Sequence, residues 1–313
     1  MSTPLRILFM GTPDFAVKSL ETLHQNFTII GVVTAPDKKR GRGQKVVPTP
    51  VKEYAMANNI PVLQPTNLKD EHFVQQLTQL KPDLNVIVAF RMLPEVVWAL
   101  PRLGSLNLHA SLLPEYRGAA PINHAIMNGE TETGVTTFFL RHEIDTGNII
   151  LQDKVPITYA DNAGTVHDRL MVVGAELLKK TIENIENETI STIPQPQKIE
   201  KTAPKIFKEN CEIDWFQPGE VIYNFVRGLS PYPTAWTVFK KNEKAFTVKI
   251  FKGKFLSEHH SETIGNLLIK NGVPTITVKG GFFEIHDLQP QSKKRITGEE
   301  FVRGLQNGDT LAL

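Results

Sequence analysis

Two short apolar runs, LRILFMG (residues 5–11) and FTIIGVVT (residues 27–34), flank a segment whose apolar residues fall at helical spacing: Phe15, Ala16, Leu20 and Leu23. Neither run alternates apolar with polar residues, so each reads as a strand buried on both faces. Two such strands joined by a helix pair in parallel through a right-handed crossover. This opening therefore predicts a doubly wound α/β sheet. The same signals continue. VKEYAMANN reads as a helix, IPVLQP as a short strand, DEHFVQQLTQL as a helix and PDLNVIVAF as a buried strand. The next strand starts at Leu106. GVTTFFL and GNIILQDKVPI follow as strands, and residues 165–186 form an amphipathic helix.

After residue 190 the pattern changes. TIPQPQKIEKTAPKIFKEN carries three prolines and little periodicity, and reads as a linker. IDWFQPGEVIYNFVRGL is helix-like. The remainder is short strands punctuated by Gly, Pro and Asn, which fits a small barrel or sandwich. The expected division is a catalytic domain at 1–190, a linker at 191–208 and a C-terminal domain at 209–313. At 313 residues, two domains match the usual domain size.

The net charge of +2 gives no global field demanding a polyanion or a membrane. From Lys198 onward, however, 17 basic residues stand against 13 acidic ones, which tilts the C-terminal part toward a polyanion. The single cysteine, Cys211, rules out a disulfide framework and points to a reducing compartment. No apolar run approaches the roughly 20 residues of a membrane span, and no signal peptide is visible. The chain reads as soluble and cytoplasmic.

Three stretches lie where strands end, the usual ligand side of such a sheet. MGTPDF (residues 10–15) has one glycine, so it is neither a dinucleotide turn nor a phosphate-cradling P-loop, and nicotinamide is not expected. It is a tight turn or a binding element. Asn107 and His109 are two apart on a strand and share a face. Together they could offer an oxyanion donor and a proton relay, or simply a turn cap and a satisfied histidine. Asp145 precedes Thr146-Gly147. It could orient His109 or merely initiate a turn. The basic run DKKRGRGQKVVPTP reads as a long loop on the ligand side, either solvated or phosphate-holding. The nine histidines show no metal-ligand spacing, and Ser111 lacks the glycine-flanked elbow of an esterase.

Taken together, MGTPDFAV, VVTAPDKKRGRGQKVVPTPVKE, LNLHASLLPEYRGAAPINHAI, GVTTFFLRHEIDTG and IDW followed by FVRGLSPYPTAW resemble the methionyl-tRNA formyltransferase family. The resemblance covers nearly the whole chain in the family's order. It implies a Rossmann-like formyltransferase domain with a parallel-rich sheet, plus a small OB-like β-barrel that helps hold tRNA. It implies 10-formyltetrahydrofolate as co-substrate, methionyl initiator tRNA as acceptor, a monomer, and no metal. The matched catalytic positions are Asn107, His109 and Asp145. The folate segment matches Ser111, Leu112, Leu113 and Pro114. The tRNA-contacting positions implied are Phe15 in the TPDF turn, Lys38, Lys39, Arg40, Arg42 and Lys45 in the basic run, and Lys205 and Lys208 in the linker. Two departures stand out. Arg91 replaces a small residue in a shortened step after VIVAF, and Tyr232 stands where tryptophan is common. The rival readings are a formyltransferase for an amino-sugar nucleotide or glycinamide ribonucleotide, and a non-catalytic RNA-binding protein on the same fold.

Overall fold

A computed structural model describes residues 4–40, 44–306 and 310–313, together with the backbone but not the side chains of Arg40 and Lys45. The chain forms two compact units. One gathers Met1–Gly118, Thr133–Val155 and His167–Thr202; the other gathers Ala119–Glu132, Pro156–Val166 and Ala203–Leu313.

In the first unit, β1 (Arg6–Gly11) leads through α1 (Phe15–Asn26) to β2 (Thr28–Val33), and the strands pair in parallel as the crossover requires. Gly11 is needed at this corner: a Cβ there would lie 2.7 Å from Ala16 Cβ. The basic run follows as a hairpin of β3 (Lys38–Arg40) and β4 (Lys45–Val47), not as an irregular loop. Val46 and Val47 favour extended backbone in β4, whereas β3 is entirely basic and its composition does not favour a strand. Next come α2 (Pro50–Ala57), β5 (Val62–Leu63), α3 (Glu71–Leu80), β6 (Leu84–Val88), α4 (Glu95–Trp98) and β7 (Ser105–His109). Thr49 and Asp70 cap α2 and α3 by accepting from the N–H of Lys52 and Phe73. Each cap stabilises its helix by about 1 kcal/mol. After the short β8 (Arg117–Gly118) and α5 (Pro121–Met127), β9 (Glu132–Phe139) and β10 (Ile149–Pro156) complete the sheet.

The sheet order is β10-β9-β7-β6-β1-β2-β5. The pairs from β5 to β7 are parallel, and β9 runs antiparallel to β7. The chain moves outward from β1 to β5, then returns to lay β6 and β7 on the other side. The order thus reverses between β1 and β6, and in sheets of this kind ligands bind beyond the carboxyl ends at that point. All five residues of β6 are buried, as expected of a strand covered on both faces. The long helix α6 (Ala163–Glu186) lies against β7. At its Gly174 a Cβ would come 2.7 Å from Leu108 Cδ2. Leu108 is therefore on the helix side, and Asn107 and His109 face the other way.

The stretch expected as a linker is stitched to this unit as far as Thr202, where the two-residue β11 (Thr202–Ala203) begins. Ile149 and Ile193 exchange backbone hydrogen bonds of 2.9 and 2.8 Å. Lys201 N–H donates to Glu115 Oε2 at 2.7 Å, and Tyr116 N–H donates to Lys201 O at 2.8 Å.

The second unit holds α7 (Gly219–Leu229), β12 (Ala235–Lys241), β13 (Lys244–Ser257), β14 (Leu267–Lys270), β15 (Val273–Val278), β16 (Gly281–Pro290), β17 (Ile296–Thr297), α8 (Gly298–Arg303) and β18 (Leu311–Ala312). The sheet runs β14-β15-β16-β13-β12-β18, and β14 returns against β18 to nearly close a barrel. Asn242-Glu243 and Asn271-Gly272, all at positive φ, make the two-residue turns that match strand twist. Gly253 lets β13 coil: a Cβ there would sit 2.2 Å from the Phe283 ring. Trp215, Phe239, Phe283 and Ile285 fill the barrel, with Trp215 Nε1 donating to Thr237 at 3.0 Å. Cys211 is buried in this core, and burial pushes its thiol pKa up, away from the reactive thiolate.

Candidate active site

β7 ends with its polar face turned away from α6. Asn107 is half-buried there, and among the described residues no protein group hydrogen-bonds to its carboxamide. His109 is deeper, at 7% exposure. Its Nε2 lies 2.9 Å from the carbonyl oxygen of Tyr116, which can only accept, so Nε2 donates. Its Nδ1 faces Asp145 Oδ2 at 3.8 Å. Asp145 is 13% exposed and sits in the loop from β9 to β10, with φ +55. The same Oδ2 accepts the N–H of Gly118 at 3.0 Å.

Three side chains from two places in the chain thus meet at the carboxyl end of one strand. The loop can deliver Asp145 because Gly147 packs directly on β9; a Cβ there would overlap Phe139 O at 1.5 Å. The cluster combines an amide donor, an imidazole with both nitrogens facing acceptors, and a carboxylate. That set can stabilise an oxyanion and move a proton next to it.

The corner after β7 is built on Thr136. Its hydroxyl donates to Ser111 O at 2.7 Å and accepts from Leu113 N–H and Gln152 Nε2 at 3.1 and 2.9 Å. Gln152 also donates to Leu113 O at 2.8 Å. Ser111 is fully buried, with its hydroxyl donating to Glu115 O at 2.8 Å. Leu113 packs against Phe138 and Ile149. Leu112 and Pro114 remain half-buried. The backbone contributions of Tyr116 and Gly118 carry no residue-type signal. Thr136 lies on β9 inside the GVTTFFL stretch, but nothing in that pattern marks it as the anchor of this corner, and Gln152 lies on β10 outside the family motifs.

Family models decide the assignment. The formyl transferase model matches residues 5–182, and the formyl transferase C-terminal domain model matches residues 205–306. A methionyl-tRNA formyltransferase of Bacteroides thetaiotaomicron is 50% identical over 313 residues, covering 97% of each chain. One of Flavobacterium johnsoniae is 51% identical over 307 residues, covering 97% of this chain and 98% of its own. The chain belongs to the methionyl-tRNA formyltransferase family. The fold agrees. A sugar 3N-formyl transferase, WlaRD, solved with dTDP and 5-N-formyl-THF, aligns with TM-score 0.67 at 22% identity, over 94% of this formyltransferase and all of WlaRD. HypX from Aquifex aeolicus, solved with tetrahydrofolic acid, aligns with TM-score 0.63 at 19% identity, over 98% of this formyltransferase and 48% of HypX.

Elsewhere in this formyltransferase, Lys38 and Lys39 are exposed on the hairpin, while Arg42 lies outside the described residues. For Arg40 and Lys45 only the backbone pairing is described. Phe15 is turned inward, 6% exposed, edge-on to His167 at 5.1 Å. Lys205 and Lys208 are exposed, with the Lys205 ammonium 5.2 Å from the Phe207 ring centre. Arg91 lies on the surface, its guanidinium bonded to the carbonyls of Pro65 and Thr66. Tyr232 is 82% exposed. Among the described residues no helix is long and apolar enough to cross a membrane.

Proposed function

We propose that Asn107, His109 and Asp145 perform in this chain the reaction of its family: transfer of the formyl group of 10-formyltetrahydrofolate to the free amino group of methionyl initiator tRNA. The neutral methionyl amine attacks the formyl carbon, and the carbonyl oxygen becomes an oxyanion. Asn107 donates to that oxygen. Both nitrogens of His109 face acceptor oxygens, Tyr116 O and Asp145, which orients the imidazole beside the developing charge. Asp145, directly or through a water, takes the proton that the new C–N bond releases from the amine. That proton passes to N10 of the folate as the old C–N bond breaks. Tetrahydrofolate leaves, and formyl stays on methionine.

The observation that carries this reading is the open Asn107 carboxamide beside a histidine held at Nε2 by Tyr116 O with Asp145 facing its Nδ1. We place the folate beyond the strand ends where strand order reverses. Leu112, Pro114 and the backbone of the corner after β7 supply its wall. We assign tRNA phosphate contacts to Lys38, Lys39, Arg40, Arg42, Lys45, Lys205 and Lys208. Charged tRNA is a cytoplasmic substrate, and we infer the same compartment for the protein.

The test is formyl transfer to Met-charged initiator tRNA, with Met-charged elongator tRNA and a His109→Ala variant alongside. Formylation confined to the initiator and lost in the variant supports the reading. Folate binding with no transfer to either tRNA overturns it.

A further inference from the structure

Asp145 holds a left-handed backbone at φ +55, a region non-glycine residues seldom adopt though aspartate does so more readily than most, and the loop around it is tied down by side-chain hydrogen bonds. The Gln195 carboxamide reaches the loop from the segment expected to be a linker. Its Nε2 donates to Asp145 O at 3.0 Å and to Gly147 O at 2.7 Å. Its Oε1 accepts from Arg117 Nε and Nη2 at 3.2 and 2.8 Å. An amide has two donor hydrogens and two acceptor lone pairs, so all four are used. Arg117 is itself fixed, since its Nη2 also donates to Pro196 O at 3.0 Å. On either side of Arg117, Tyr116 O receives His109 and Gly118 N–H donates to Asp145. One tripeptide thus grips both reacting side chains, and Gln195 ties its central side chain to the aspartate loop.

We propose that Gln195, held by Arg117, is a positioning residue for formyl transfer that acts through Asp145; this rests on the catalytic reading of Asp145. It touches neither substrate. It sets the backbone from which the carboxylate is aimed, and misplacement by about an ångström costs a proton-transfer group up to roughly a hundredfold in rate.

The experiment is a double-mutant cycle on the full chain, with kcat and both KM values measured. Gln195→Leu removes all four hydrogen bonds. It is expected to lower kcat roughly ten- to a hundredfold with little change in KM for folate or tRNA. In an Asp145→Asn background the same substitution is expected to lower kcat less than about threefold, because its target is already gone. Arg117→Lys keeps the charge but loses the paired grip on Oε1. It is expected to show a smaller decrease with the same non-additivity, and it serves if Gln195→Leu folds poorly. Equal fold-losses in both backgrounds, or kcat unchanged in Gln195→Leu, overturn the inference. An Asp145→Asn variant that turns over normally overturns the catalytic reading itself, a separate result.

Discussion

At the scale of single residues, the site depends on where one strand ends. Asn107 and His109 share a face because they are two apart, and Leu108 between them is committed to Gly174 of the helix behind. Removing an oxyanion donor costs about 2.7–4 kcal/mol of transition-state stabilisation. Asn107→Ala is therefore expected to slow formylation about a hundredfold or more, measured as kcat on initiator tRNA, and His109→Ala, which removes the imidazole beside the oxyanion and Asp145's neighbour, is expected to slow it by a similar factor. Near-normal turnover in both would refute the assignment. Gly147→Ala tests the loop. Its methyl would overlap Phe139 O, so the loop must move and carry Asp145 with it. Activity is expected to fall at least tenfold while the far-UV CD spectrum stays native. The candidate trio was legible in the sequence through the motifs that carry the family resemblance; alternation and turn chemistry alone left a turn cap and a satisfied histidine equally open. Gln195 was not. Its partners Gly147 and Arg117 lie 48 and 78 residues away, and a glutamine among prolines looks like any linker residue.

At the scale of elements, parallel strands were easy to read and the basic run was not. Its glycines and five cations suggested a long irregular loop, solvated or phosphate-holding, yet Lys38–Arg40 and Lys45–Val47 pair as strands. The anchor sits at the hairpin's base. Asp37 accepts from Lys52 Nζ at 2.6 Å and Gln64 Nε2 at 2.7 Å, and Gln64 also donates to Ala35 O at 2.8 Å. The Lys52 bond, then the Gln64 bond, hold the Asp37 carboxyl below the usual carboxylate range. A pKa depressed on folding means stability that is present above the unfolded value and lost as pH falls through the folded one. Amide exchange at Lys39 and Val46, corrected for intrinsic rate, is expected to quicken as pH drops through that acid range. In Asp37→Asn it should be fast throughout; protection unchanged by the substitution would show that the anchor lies elsewhere. The hairpin's cations are tested separately. Lys38→Ala and Lys39→Ala are expected to weaken tRNA binding and to reduce the log–log salt slope by about one per lost phosphate contact. KM for folate should stay constant. A salt slope unchanged in both variants would return these lysines to the solvent.

At the scale of the whole molecule, the C-terminal unit is not simply the C-terminal part of the sequence. Residues 119–132 and 156–166 belong to it. Asn123 Nδ2 donates to Gly228 O at 2.7 Å, and Gly228 is required because a Cβ there would meet Met127 at 2.6 Å. Tyr159 stacks on Tyr223 with ring centres 4.4 Å apart. Arg227, only 8% exposed, donates from Nη1 to Thr158 O and Asp161 O at 3.3 and 3.1 Å and from Nε to Asn224 at 2.8 Å. Stripping partners from a buried charge costs about 3–5 kcal/mol, a large share of a domain's stability. Cutting the chain where the sequence changes character therefore yields no intact half. A 203–313 fragment lacks the backbone carbonyls that hold Arg227, and a 1–202 fragment carries α5 without the helix it packs on. Calorimetry of the 203–313 fragment is expected to show a broad, weakly cooperative transition about ten degrees or more below that of the full chain, the shift a loss of about 3 kcal/mol gives a domain of about 110 residues, and the 1–202 fragment is expected to melt below the full chain by less. Arg227→Met, which removes the charge along with its need for partners, should narrow that gap in the 203–313 fragment. A fragment that melts as sharply and as high as the full chain would mean that the borrowed segments only decorate the barrel.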